Sequence, residues 1–125
     1  MSRSDVAPST VFVVEDDVDT RDMLGRFLEL EGFQVEVAAN GKQALDRLNS
    51  GVQPCVILLD LMMPVMDGWQ FRQQQVLDAH LADIPVIVVS AAGKDRIAEI
   101  DANGYLTKPV DLEQLLERVS QYCPH

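Results

Sequence analysis

The feature that most constrains this chain is a fivefold alternation of short apolar runs with amphipathic stretches. The apolar runs cover residues 11–14, 33–38, 55–59, 86–89 and 105–107. Run 55–59, Cys-Val-Ile-Leu-Leu, is apolar throughout, as a strand buried on both faces must be. Run 33–38 instead alternates Val35 and Val37 with Gln34 and Glu36, the pattern of an edge strand with one wet face. Between the runs, apolar residues recur at helical spacing. Met23, Leu24, Phe27 and Leu28 form one stripe, Ala44, Leu45 and Leu48 a second, and Leu112, Leu115, Leu116 and Val119 a third. Further helices are expected over residues 69–79 and 95–102. Asp17 or Asp19 can cap the first helix, Gly32 ends it, and Asp111 caps the last. Strands separated by crossover helices must pair in parallel, and right-handed crossovers place helices on both faces of an open sheet. The expected fold is a doubly wound α/β domain, (βα)5, with strand order 2-1-3-4-5.

Length and charge narrow the use of such a fold. At 125 residues the chain is long enough for one domain with a sizeable core, expected over residues 10–125 behind a disordered leader at 1–9. The leader lacks an apolar segment of the signal-peptide kind, and no run reaches the roughly 20 apolar residues of a membrane span. A formal net charge of -10 repels phosphate backbones, so direct nucleic-acid binding is not expected. Cys55 and Cys123 form no metal-binding spacing and no disulfide framework. Cys55 reads as a small buried hydrophobe, and a reducing cytoplasmic setting is the expectation.

In open parallel sheets, function collects in the loops after the carboxyl ends of the strands. Here those loops carry Glu15, Asp16 and Asp17 after the first strand, Asp60 after the third, Ser90 after the fourth and Lys108 after the fifth. Carboxylates from neighbouring strands repel one another unless a cation intervenes. An all-oxygen site suits Mg2+, with Mn2+ as a substitute ion. An acidic metal site beside one lysine and one hydroxyl is suited to a phosphoryl group, whose negative charge the metal and ammonium offset. Neither His80 nor His125 falls in this set, so the available nucleophile is a carboxylate. Asp60, leaving the central strand, is the best placed to become an aspartyl phosphate. Taken singly, each residue has a plainer reading: the acidic triplet as helix capping, Asp60 as a loop cap, Lys108 as a solvated cation. Four strand ends converging on one chemistry argue for the site.

These residues resemble the receiver domain of bacterial two-component response regulators, of the chemotaxis-regulator kind. The likeness rests on Val-Val-Glu15-Asp16-Asp17, on Leu-Leu-Asp60-Leu-Met-Met-Pro64-Val-Met-Asp67-Gly68, on Pro85-Val-Ile-Val-Val-Ser90-Ala91 and on Gly104-Tyr105-Leu-Thr-Lys108-Pro109. It implies a flavodoxin-like fold with Asp60 as phosphoacceptor. It implies metal binding by Asp16, by Asp60, by Glu15 largely through water and by the backbone carbonyl of Met62. Lys108 pairs with the phosphoryl group, and Ser90 and Tyr105 form the switch that reports it. A cis bond between Lys108 and Pro109 is also implied, and Asp17 is left to capping. The implied partners are a sensor histidine kinase or histidine phosphotransfer protein, and a downstream target or effector domain. Such a domain catalyses only its own phosphorylation and dephosphorylation, and is not otherwise an enzyme.

Two alternatives belong to other classes. A degenerate receiver could act as a phosphorylation-independent docking module, but such domains lack an acidic residue, the acceptor or the lysine. A phosphatase with an aspartyl nucleophile would favour a second aspartate where Met62 stands. One departure from the family is that the stretch from Ser90 to Tyr105 is short by about one helical turn. An altered fourth helix, and with it an altered output surface, is therefore expected.

Overall fold

A computed structural model describes residues 9–97 and 99–124, apart from the side chains of Lys94 and Asp95. The expected leader therefore lies outside the described residues except for Ser9. Five strands form one parallel sheet: β1 (Thr10–Val14), β2 (Gln34–Ala38), β3 (Val56–Leu59), β4 (Val86–Ser90) and β5 (Gly104–Thr107). Their order is β2-β1-β3-β4-β5, as expected. The order reverses between β1 and β3, where Val14 sits beside Leu59. The next residue along each chain is an acid, Glu15 on one and Asp60 on the other.

Alternate side chains along the strands divide the core in two. Phe12, Val14, Ile57 and Leu59 face the helices α2 (Gly41–Asn49) and α3 (Gly68–Leu77). Val11, Val13, Val56 and Leu58 face α1 (Val18–Leu30) and α5 (Leu112–Ser120). β1, β3 and β4 are buried along their whole length, whereas β2 on the sheet edge leaves Val37 exposed. In α1, Leu24 and Leu28 are buried while Met23 faces outward. That stripe is therefore narrower than the sequence suggests.

Helix starts follow side-chain chemistry. Asp17 caps α1 and accepts from the Thr20 N–H at 2.9 Å and the Thr20 hydroxyl at 2.6 Å. These two bonds hold the Asp17 carboxyl below its ordinary range, hydroxyl first. Asp67 begins α3 with a reciprocal capping box to Gln70, and Asp111 caps α5.

Two expectations need correction. The fourth helix, α4 (Lys94–Ile97), has four described residues and does not reach 102, since Glu99 and Ile100 lie in turns and bends. Its short length agrees with the deficit between Ser90 and Tyr105. After α4 the chain keeps two turn bonds, from the Glu99 N–H to the Arg96 carbonyl at 3.2 Å and from the Ile100 N–H to the Ile97 carbonyl at 3.1 Å. It is held from outside by long-range bonds: Arg72 donates from Nε to the Asp101 carbonyl at 2.8 Å, and Asn103 accepts from the Val86 N–H at 2.9 Å. Arg96 lies over the Trp69 ring, 4.3 Å from its centroid, tying α4 to α3. The second correction concerns the cysteines. Cys55 and Cys123 are joined in a disulfide, with Cα atoms 5.4 Å apart across 68 residues of sequence. Cys55 is half-buried, and nothing local in either segment's sequence announces the pairing.

Candidate functional site

The site is assembled by backbone bonds at the carboxyl ends of the strands. The Asp60 N–H continues the β1–β3 ladder to the Val14 carbonyl at 3.0 Å, setting Asp60 beside Glu15. The Lys108 N–H likewise donates to the Ser90 carbonyl at 3.1 Å, carrying the β5 loop toward the centre. Arg21 donates from Nη1 to the Glu15 carbonyl at 2.9 Å, and the Asp17 N–H donates to the Glu15 carboxylate at 3.1 Å. The loop that approaches Lys108 from the other side runs through a cis Lys108–Pro109 peptide, as the resemblance implies.

The result gathers Glu15, Asp16 and Asp60. One carboxylate oxygen from each lies within 4.8 Å of the others. Glu15 and Asp60 are buried, at 2% and 5% exposure, while Asp16 is open to solvent. Lys108 bridges the buried pair, with Nζ 2.6 Å from Glu15 Oε1 and 3.5 Å from Asp60 Oδ2. One ammonium thus serves two buried carboxylates, and negative charge is left over. Burial pushes the Glu15 carboxyl up from 4.5 to about 7. Its bonds from Lys108 and from the Asp17 N–H oppose the rise, and the Asp60 charge adds to it. For Lys108, burial alone would favour the neutral amine. The bond to Glu15 and the two nearby carboxylates outweigh it, so the net shift is upward. Burial thus acts on both groups, raising the Glu15 carboxyl and opposing the rise of the Lys108 ammonium, which its carboxylate partners bring about.

An all-oxygen donor set with surplus charge and one open flank is what a hard divalent cation requires. Asp16 on the solvent side and Asp60 on the buried side could hold such an ion. The Met62 N–H turns back on Asp60 Oδ1 at 3.3 Å, so the loop that bears the Met62 carbonyl curls over the Asp60 carboxylate while the Met62 side chain points to solvent.

Ser90 and Tyr105 occupy neighbouring strands. Ser90 is fully buried, and its Oγ accepts from the Ala92 N–H at 3.1 Å. Tyr105 is 40% exposed. Its hydroxyl donates to the Ile100 carbonyl at 2.7 Å and accepts from the Ala102 N–H at 3.1 Å. The segment after the short α4 therefore holds the ring on the outside of the sheet. All the sequence-derived residues except Tyr105 converge on one rim, and Tyr105 lies beside it on β5.

Sequence reasoning missed two supporting positions. Arg21 had no signal beyond its place on α1. Gly68 had one, a glycine directly after a helix-capping aspartate. A Cβ on Gly68 would stand 2.6 Å from the Asp60 carbonyl oxygen and 2.7 Å from Leu61 Cα, so the start of α3 sits against the backbone of Asp60.

Fold and site together define a receiver. The response regulator receiver domain family matches residues 11–120, and the chain belongs to that family. It is 38% identical over 113 residues to the DNA-binding dual master transcriptional regulator RpaA of Synechocystis, covering 87% of this chain and 46% of that protein. It is 39% identical over 116 residues to the response regulator MprA of Mycolicibacterium vanbaalenii, covering 90% and 49%. The chain thus spans about half the length of these two relatives. Among solved structures it resembles the receiver domain of a signal transduction histidine kinase from Syntrophus aciditrophicus, at 30% identity and a TM-score of 0.83, covering 91% of this chain and 89% of that one. It also resembles the receiver domain of the sensor histidine kinase PA1611 from Pseudomonas aeruginosa, which carries a magnesium ion in its active site cleft. That match has 25% identity and a TM-score of 0.83, and covers 93% and 98%.

Proposed function

We propose that this domain accepts a phosphoryl group on Asp60 within a two-component phosphorelay. The observation that carries the reading is the sharing of Lys108 between buried Glu15 and Asp60, at 2.6 and 3.5 Å. A carboxylate beside an ammonium, at the mouth of an acidic cluster, is a poised oxygen nucleophile. In the transfer, an Asp60 carboxylate oxygen attacks the phosphorus of a phosphohistidine. The P–N bond breaks, and the imidazole nitrogen keeps the electron pair and takes up a proton. Lys108 sits where it offsets charge on the incoming oxygens, and its release from Glu15 lets it turn toward the phosphoryl group. Asp16, Asp60, Glu15 through water, and the Met62 carbonyl would hold Mg2+ or, in its place, Mn2+. Such an ion supplies Lewis-acid neutralisation of the phosphoryl oxygens.

The added group carries about -1.5 to -2 charges. Ser90 donates its hydroxyl to it, giving up the contact to the Ala92 N–H. The space vacated admits the Tyr105 ring, and Tyr105 must then leave Ile100 and Ala102. The readout is thereby tied to the segment after α4. The domain catalyses only its own phosphorylation and dephosphorylation. Its donor is a sensor histidine kinase or a phosphotransfer protein, and its receiver is a downstream protein or effector domain. It acts in the cytoplasm without binding nucleic acid itself. A charge of -10 supports the last point. No helix among the described residues is long and apolar enough to cross a membrane.

Intact mass after incubation with Mg2+ and acetyl phosphate tests the reading. One added phosphoryl group is expected, and none in Asp60→Asn. Uptake that persists in Asp60→Asn would reject Asp60 as the acceptor.

A further inference from the structure

We propose that Cys55 and Cys123 are a reversible redox modification site that fastens the end of α5 to the base of the central strand. The pair lies at the opposite end of the sheet from Asp60. Cys55 precedes the acceptor by five residues of extended chain, on the order of 16 Å. Three segments meet there. The Cys55 N–H donates to the Thr10 carbonyl at 2.9 Å, fixing the start of β3 beside the start of β1. The Cys123 N–H donates to the Val119 carbonyl at 2.9 Å, so Cys123 continues the last turn of α5. Ser9 meets the Pro124 carbonyl alongside. A Cα separation of 5.4 Å lies in the range a disulfide needs without backbone movement.

Two further observations argue that the bond is exchangeable. First, the two sulfurs differ in access. Cys123 is 1% exposed, whereas Cys55 is half-buried and so the more accessible of the two. A small thiolate reaches Cys55 Sγ. Its sulfur bonds to Cys55 as the Cys55–Cys123 bond breaks, and Cys123 departs with the electron pair as a thiolate and is protonated. A second thiolate then attacks the sulfur of the bound reductant, releasing Cys55 and a small-molecule disulfide. Oxidation is the reverse, with a small-molecule disulfide as the two-electron acceptor. Second, the reduced state is accommodated. Cys55 Sγ lies 3.1 Å from the Thr10 carbonyl oxygen, which can accept the thiol proton once the bond is open. Cys123 packs into the apolar core below α5, where a thiol is at home.

The consequence falls on the chain's exit from α5. Oxidised, residues 120–124 are pinned to β3. Reduced, they are held by the last turn of α5, by the contact of Ser9 with the Pro124 carbonyl and by apolar contacts. In a reducing compartment the open form is the resting state, and an oxidising challenge closes it. The loop closed is long, so closure stabilises the fold noticeably.

The test uses the full chain. The protein is equilibrated with reduced or oxidised glutathione at neutral pH while folded, then denatured and alkylated. Zero labels after oxidised glutathione and two after reduced glutathione are expected, the change reversing when the couple is switched. The melting temperature should be about 10 °C higher in the oxidised form. Cys55→Ser and Cys123→Ser should abolish that difference, and protease cleavage near residue 124 should quicken on reduction. Two labels under both conditions, or a crosslinked dimer, would overturn the proposal. Loss of the bond only after unfolding would overturn its reversibility. Phosphoryl uptake from acetyl phosphate in the same samples reports on Asp60 separately, and equal uptake in both forms is expected.

Discussion

The two ends of the parallel sheet are built on opposite principles. At the carboxyl end, Glu15 and Asp60 are buried with one shared ammonium, and the local charge is left unbalanced. At the amino end, the chain is closed by apolar contacts and a covalent bond between Cys55 and Cys123. Buried, imperfectly balanced charge of this kind is a common arrangement at functional sites. The amino end lies away from the acidic cluster, and its disulfide joins the end of α5 to the start of β3. Strand polarity makes this division natural, because the loops after parallel strands gather on one rim and those before them on the other.

The contrast can be broken from either side. The largest expected effect is at the amino end. Cys55→Ser should cost about 2–4 kcal/mol in denaturant unfolding relative to the oxidised parent, while Mg2+ affinity stays unchanged. A shift in Mg2+ affinity would mean that the two ends communicate. Next, Gly68→Ala at the rim places a methyl against the Asp60 carbonyl and Leu61 Cα, which are backbone and cannot yield. About 2 kcal/mol of stability should be lost, together with weaker Mg2+ binding. If both parameters match the parent, α3 does not press on the acceptor.

A smaller effect comes from the excess charge. Glu15 has its pKa raised from 4.5 to about 7, so the fold favours its protonated form. That contribution to the metal-free protein is complete below about pH 4.5 and is lost as pH rises through about 7. Mg2+ requires the ionised form, so its affinity should move the other way, tightening about tenfold between roughly pH 6 and pH 8. Titration calorimetry at several pH values checks this, and Glu15→Gln should flatten the profile. A flat profile in the parent would show that Glu15 is ionised throughout. The smallest effect is at Val65, a β-branched residue with φ of 69° in the loop after Asp60. Its side chain is 77% exposed, so Val65→Asn removes no packing. It should stabilise by about 1 kcal/mol, read as an upward shift of the unfolding midpoint. No gain would place the strain elsewhere in the loop.

The parts of the site that were legible lie at strand ends, where a polar residue interrupts an apolar run: Glu15, Asp16, Asp60, Ser90 and Lys108. The partners of each one were less legible. Lys108 is closer to Glu15, at 2.6 Å, than to Asp60, at 3.5 Å, a preference that no local sequence signal carries. The fourth helix was expected over eight residues, since Ile97 and Ile100 have helical spacing. That spacing survives in a helix of four residues followed by turns, and Ile100 still reaches the core without a continuous ladder.

By itself the sequence determined the five strand–helix units, the burial of the central strands, the edge position of β2 and the residues delivered to the rim. Periodicity and capping act within a few residues, and those signals are local. Only the tertiary structure decided which groups meet across distance. It set the pairing of Cys55 with Cys123, the seat of Gly68 under Asp60, and the tether of Tyr105 to Ile100 and Ala102. Such contacts depend on how helices dock on a twisted sheet, and packing fixes that docking through many weak interactions that no short stretch of chain contains.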